Sequence, residues 1–238
     1  DHTIRAEFAI DTYTVTASAG AGGSISPQNA TVIAYGGSLA FQITPDAHHE
    51  VADVVVNGQS VGAVRSYTLS NINRDTSISA SFAADTHTAT TTAGANGSVS
   101  PEGETQVPYG QSMTVAITPD DHHHIEDVQV NGQSVGAVTS YTFNNVTEDV
   151  SLTASFAIDT YTLTAQAGEH GEITPVGQLT VNHGESMPFT ITPADGYRVA
   201  EVLVDGQDQG ELTTYTFSNV TGPHTIQVRI GHKPFHVV

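Results

Sequence analysis

Two histidine clusters are the parts of this 238-residue chain whose residue types and spacing suggest chemistry. One is Asp46-Ala47-His48-His49-Glu50 and the other is Asp120-Asp121-His122-His123-His124. Residues two apart share a face of an extended strand, so Asp120, His122 and His124 would align. Imidazole nitrogens completed by a carboxylate are ligands for zinc, copper or nickel. The candidate metal ligands are therefore Asp46, His48, Asp120, His122 and His124. Histidine also gains charge on mild acidification, which makes the same clusters candidate pH sensors. Acidic turns such as Pro119-Asp120-Asp121, and Asp85 and Asp159 further along, offer oxygens to calcium, although the dense spacing of a dedicated calcium loop is missing. The sequence demands no cofactor; the candidates are divalent cations, namely calcium, zinc or copper. Paired carboxylates could serve glycoside hydrolysis, but nothing singles out one pair among 25 acids, so no enzyme is expected.

The elements that must position these clusters recur at a fixed interval. Val54–Ile72 (VVVNGQSVGAVRSYTLSNI) is nearly repeated at Val128–Val146 and more loosely at Val202–Val220. Corresponding residues such as Tyr67, Tyr141 and Tyr215 lie 74 apart, and such self-similarity dictates a tandem array. The expected domains are residues 11–84, 85–158 and 159–232, preceded by a segment 1–10 and followed by a tail, 233–238. Within each unit alternating apolar residues predict strands, as at Leu39, Phe41 and Ile43. The spacing of Val51, Val54 and Val56 breaks strict alternation, for which a bulge is the simplest cause and a short helical turn the alternative. Asn57-Gly58 and its copies are hairpin signals. About seven short strands per unit, with no sustained helical period, predict an all-β fold: three small β-sandwich-like modules, or alternatively β-grasp-like ones. Only four residues separate Phe82 from His87, and Phe156 from Tyr161, with no flexible composition, so the modules should form a stiff rod. At roughly 30 Å per module it would span about 90 Å.

Composition narrows the partners. There are 25 acids against 6 bases, for a net charge of −19. The first unit has five acids against two bases, the second nine against none, and the third nine against two. Such a polyanion repels nucleic acid and anionic lipid. No 18-residue apolar run or signal peptide is evident, so direct membrane insertion is not expected. Without cysteine there are neither disulfides nor thiolate sites. The only lysine, Lys233, lies outside every repeat, which argues against an isopeptide staple.

The pattern Tyr-Thr-Val-Thr, Gly-Gly-Ser-Ile-Ser-Pro, Tyr-Gly, Ile-Thr-Pro, Val-Asn-Gly, Ser-Tyr-Thr, Ser-Phe-Ala resembles the divergent internalin-type B-repeats of bacterial secreted and surface proteins. The resemblance covers all three units. It implies extracellular or cell-surface tandem modules acting as spacers or adhesive stalks, without catalytic residues, facing other surface or matrix components. The family commonly carries Gly-Tyr after the Thr-Pro turn, as at Gly196-Tyr197; His48-His49 and His122-His123 replace it here. On that basis His49 and His123 would pack as the tyrosine does, with the flanking histidines solvated.

The chain ends depart from the repeat. Ile4, Ala6 and Phe8 match Ile78, Ala80 and Phe82 of a last strand, which makes residues 1–10 a surplus strand. It would belong to a preceding repeat or add to a sheet edge of another copy, so Ile4, Ala6 and Phe8 are candidate assembly residues. Three functions follow: a spacer or adhesive stalk, a filament subunit joined head to tail by strand addition, and a metal-binding surface protein.

Overall fold

A computed structural model describes residues 2–234. Among them there are strands and no helix, so the modules are β-sandwiches and the β-grasp alternative does not hold. The first repeat has eight strands: β1 (Thr12–Ala19), β2 (Gly23–Ser26), β3 (Asn29–Ala34), β4 (Gly37–Pro45), β5 (His49–Val56), β6 (Gln59–Gly62), β7 (Ser66–Ile72) and β8 (Thr76–Ala84). They make a five-stranded sheet in the order β3-β1-β8-β5-β6 and a three-stranded sheet β2-β4-β7. The β1–β8 pair is parallel, which lets the last strand lie beside the first. All three repeats carry this pair of sheets.

The alternation seen in the sequence faces the space between the sheets. Val15, Ile25, Phe41, Ile43, Val54, Leu69, Ile72 and Ile78 form the buried core of the first repeat. Leu163, Ile173, Phe189, Ile191, Val202, Phe217, Val220 and Ile226 form that of the third. Each large apolar side chain so buried contributes about 1.5–3 kcal/mol. In the second repeat the first strand forms at full length, Thr86–Ala93, despite its weak apolar pattern. Its buried Thr91 takes the place of an alanine and donates its hydroxyl to the Pro101 carbonyl at 2.6 Å.

Two local signals act as expected. A register shift between Val51 and Asp53 is the bulge, repeated at Ile125/Asp127 and Val199/Glu201. It lets both Val51 and Val54 reach the core. Asn57 and Gly58 both have positive φ, 49° and 80°, as a tight hairpin requires. Asn57 Oδ1 also accepts the Ser77 N–H at 2.9 Å and so ties the hairpin to the start of β8. The near-identical stretch around it is thereby framework.

The chain forms two compact units. Among the described residues, one takes in 2–90 with Gly103–Thr114 and Thr142–Ser151; the other comprises Thr91–Glu102, Val115–Tyr141 and 152–234. The junction between the first and second repeats lies in the former, and that between the second and third in the latter.

Residues 2–10 form no strand in this chain, and Ile4, Ala6 and Phe8 are exposed. A last strand needs a first strand and a fifth strand as neighbours. The corresponding places beside β1 and β5, and beside Thr160–Ala167 and Tyr197–Val204, hold their own last strands. Of the tail, 233–238, residues 235–238 lie outside the described residues.

Candidate functional site at the repeat junctions

A single residue, Asp85, separates the last strand of the first repeat from the opening strand of the second, and Asp159 does the same for the next pair. Each is clamped through its backbone. The Asp85 N–H donates to the His48 carbonyl at 2.9 Å, while its own carbonyl accepts the Tyr109 N–H at 2.7 Å. The Asp159 N–H donates to the His122 carbonyl at 2.9 Å, and its carbonyl accepts the His183 N–H at 2.8 Å. One connecting residue with both peptide groups hydrogen-bonded, one to each repeat, has little freedom to swivel.

Above each clamp two rings stack. His48 lies on Tyr109 with ring centroids 3.6 Å apart and 4° between planes. His122 lies on His183 at 3.7 Å and 10°. A third ring sits beside each stack: His87 is 5.9 Å from Tyr109, and Tyr161 is 5.8 Å from His183. The Tyr161 hydroxyl also lies 3.3 Å from His183 Nδ1.

The turn explains how the rings get there. His49 N–H donates to the Asp46 carbonyl at 3.2 Å, closing a turn whose third residue, His48, has φ of 58°. His122 has φ of 62° in the matching turn, and Gly196 has 82° in the third repeat. Glycine is the residue such a position favours, and a side chain there costs about 1–2 kcal/mol. An aromatic stack returns about 0.5–1.5 kcal/mol. The two nearly cancel, so histidine does nothing for the turn by itself. Its consequence is the reach of its ring into the next repeat.

This geometry corrects the reading of the histidines. His122 has turn geometry and the strand starts only at His123, so Asp120, His122 and His124 do not share an extended face. His48 and His122 are not simply solvated, because each stacks across a junction. Asp46 and Asp120 sit at the start of their turns, held by backbone bonds to the Gly22 and Asn96 carbonyls. His124 pairs with Asp159, Nδ1 to Oδ1 at 3.0 Å. Among the described residues no three histidine, aspartate or glutamate side chains gather as a metal would need.

His49 and Tyr197 occupy matching places at the starts of their strands. A Cβ on Gly22 would lie 2.5 Å from the His49 ring, so that ring packs directly over the glycine. In the third repeat the matching residue is His170, and Tyr197 stacks on it at 4.2 Å.

Sequence reasoning did not single out Tyr109 or His183, which complete the stacks. Their signal was present: Tyr35, Tyr109 and His183 are rings at one repeat position, beside a glycine turn, where alternation gives them no place in the core.

Electrostatics differ between repeats. Burial pushes the Asp205 carboxyl up, but hydrogen bonds from the Thr225 N–H and from His224 outweigh it and hold the group below its usual range. His224 Nδ1 lies 2.7 Å from Asp205 Oδ2. The Ser134 hydroxyl, donating at 2.5 Å, lowers the Asp127 carboxyl.

A family model described as the divergent InlB B-repeat domain matches residues 13–86, 87–160 and 161–228. No curated protein matches the chain. Among solved structures, the Bacillus anthracis TIE protein aligns at 8% identity and a TM-score of 0.45, over 94% of this chain and 51% of that one. The pilus adhesin SpaC from Lactobacillus rhamnosus GG aligns at 8% identity and a TM-score of 0.22, over 96% and 44%. The chain thus spans about half the length of these relatives, and TM-scores this low do not establish a common fold.

Proposed function

The chain belongs to the divergent InlB B-repeat family, and from that premise we propose that it is a stiff, non-enzymatic spacer or adhesive stalk of a bacterial surface or secreted protein. The observation that carries this reading is the clamp at each junction. A flexible linker would leave the connecting peptide to water. Here Asp85 and Asp159 are each bonded on both sides, and the stacked rings add a second point of contact away from the chain. Two separated points of attachment resist bending, which one cannot do. The acidic surface suits an extracellular location and keeps neighbouring stalks apart. The partners fitting this role are other surface or matrix components.

Small-angle scattering on the purified chain tests it. A stiff stalk gives a maximum dimension of about 90 Å that a Gly-Ser insertion beside Asp85 or Asp159 broadens. An unmodified chain that already scatters like the insertion variants would rule the reading out. Self-assembly by strand addition has the exposed Ile4 and Phe8 in its favour. Sedimentation showing monomers at all concentrations, unaltered by deletion of residues 1–10, would exclude it.

A further inference from the structure

The receiving half of a junction has three parts: the carbonyl of the connecting residue, a ring whose own N–H bonds that carbonyl, and a second ring from the opening strand. The first repeat has all three at its start. The Tyr35 N–H donates to the Asp11 carbonyl at 2.8 Å, as Tyr109 does to Asp85 and His183 to Asp159. Tyr13 lies 6.4 Å from Tyr35, in the place of His87 and Tyr161. The difference is cover. Tyr109 and His183 lie half-buried under His48 and His122, whereas Tyr35 is 60% exposed.

Residues 2–10 carry matching information. His2-Thr3-Ile4-Arg5-Ala6-Glu7-Phe8-Ala9-Ile10 runs in phase with Thr76–Ala84 and leads into Asp11 as that strand leads into Asp85. In the first repeat Ile78 and Ala80 of this strand are buried, and Phe82 packs over Gly23. Ile4 and Phe8 are instead 94% and 96% exposed. An apolar pattern made for a sheet therefore stands in solvent beside an uncovered ring.

We infer that Tyr35 is the docking ring for a further B-repeat module, one that takes residues 2–10 as its last strand and lays a turn-borne ring over Tyr35. This rests on the stalk reading and names what the first repeat joins. The partner needs a first and a fifth strand to flank residues 2–10, and a ring on the left-handed residue of its turn, as His48 and His122 are. A second copy of this chain fits poorly. Its third repeat offers Gly196 there, with no ring. Its last strand, with Ile226 and Val228 buried, already fills the place that residues 2–10 would take.

The test extends the full chain at its start. Residues 11–75, which include the His48 turn, are placed directly before residue 2, so that residues 2–10 follow as the eighth strand. Tyrosine nitration mapped by mass spectrometry reads Tyr35, and amide exchange reads residues 3–10. The expected result is slowed exchange over residues 3–10 and Tyr35 nitration about three- to tenfold lower than in the unextended chain. An extension made from residues 159–223, with the Gly196 turn, should protect the strand amides yet leave Tyr35 reactive. The inference is overturned if Tyr35 reacts equally in all three chains. It is also overturned if Tyr35 in the unextended chain becomes protected as concentration rises, since the occupant would then be a second copy. Scattering that shows loose junctions while Tyr35 is protected would remove the stalk reading and leave the docking intact.

Discussion

The two junctions share a backbone clamp and differ in the rings above it. At the first, His48 meets a tyrosine; at the second, His122 meets another histidine. The clamp uses only peptide groups, so it needs a backbone N–H, which proline lacks, but no particular side chain. The stack depends on ring type, His on Tyr at the first junction and His on His at the second. The neighbours differ too. His87 beside the first stack has Asp149 at 3.7 Å, whereas the matching position in the third repeat is Pro223, with no carboxylate to offer. At the second junction the Asp159 carboxylate is engaged by His124. A common joint is thus built with two different ring pairs and two different sets of neighbours.

The largest effect should come from what the junctions share, the strand that runs into them. A Cβ on Gly23 or Gly97 would lie 2.4 Å from the Phe82 or Phe156 ring, and one on Gly171 would lie 2.5 Å from the end of Ile230. A rigid ring cannot yield as a terminal methyl can. Gly23→Ala or Gly97→Ala should therefore destabilise by about 1–3 kcal/mol in thermal unfolding, and Gly171→Ala by clearly less. Equal losses at all three would show that ring rigidity is not the cause.

His48→Gly and His122→Gly ask what the ring is for. The turn regains its favoured residue as the stack is lost, so net stability should change by less than about 1 kcal/mol. Amide protection at the altered junction should nonetheless drop. A stability gain with unaltered protection would make the stack incidental.

The smallest effect concerns Asp205. Its carboxyl is held below the ordinary value when folded, so its contribution is present above the unfolded value and disappears as pH falls through the folded one. Asp205→Asn, the residue found at 57 and 131, should flatten acid-side stability of the third repeat, measured as melting temperature against pH. An unaltered profile would assign that acid dependence elsewhere.

Much of the fold was legible because sheet geometry writes itself into sequence at period two. Leu39-x-Phe41-x-Ile43, the bulge at Val51 and Val54, and the Asn57-Gly58 hairpin are local rules, and each appears where it was expected. The histidines were not legible in this way. Their apparent alignment at 120, 122 and 124 assumed an extended backbone, and the left-handed φ of His122 removes it. Likewise the phase of residues 2–10 with β8 was legible, but it was not legible that, among the described residues, each repeat's own last strand already lies between its first and fifth strands.

The amino-acid sequence by itself determined the repeat, the all-β class, the turns and the apolar face of each strand, since these depend on residues a few positions apart. Only the tertiary structure decided where the histidine rings go. His48 meets Tyr109, and His122 meets His183, across 61 residues. That meeting depends on a turn in one repeat, a single aspartate at the boundary and the end of a strand in the next. No local pattern encodes the distance between them; the packing of one repeat on its neighbour does.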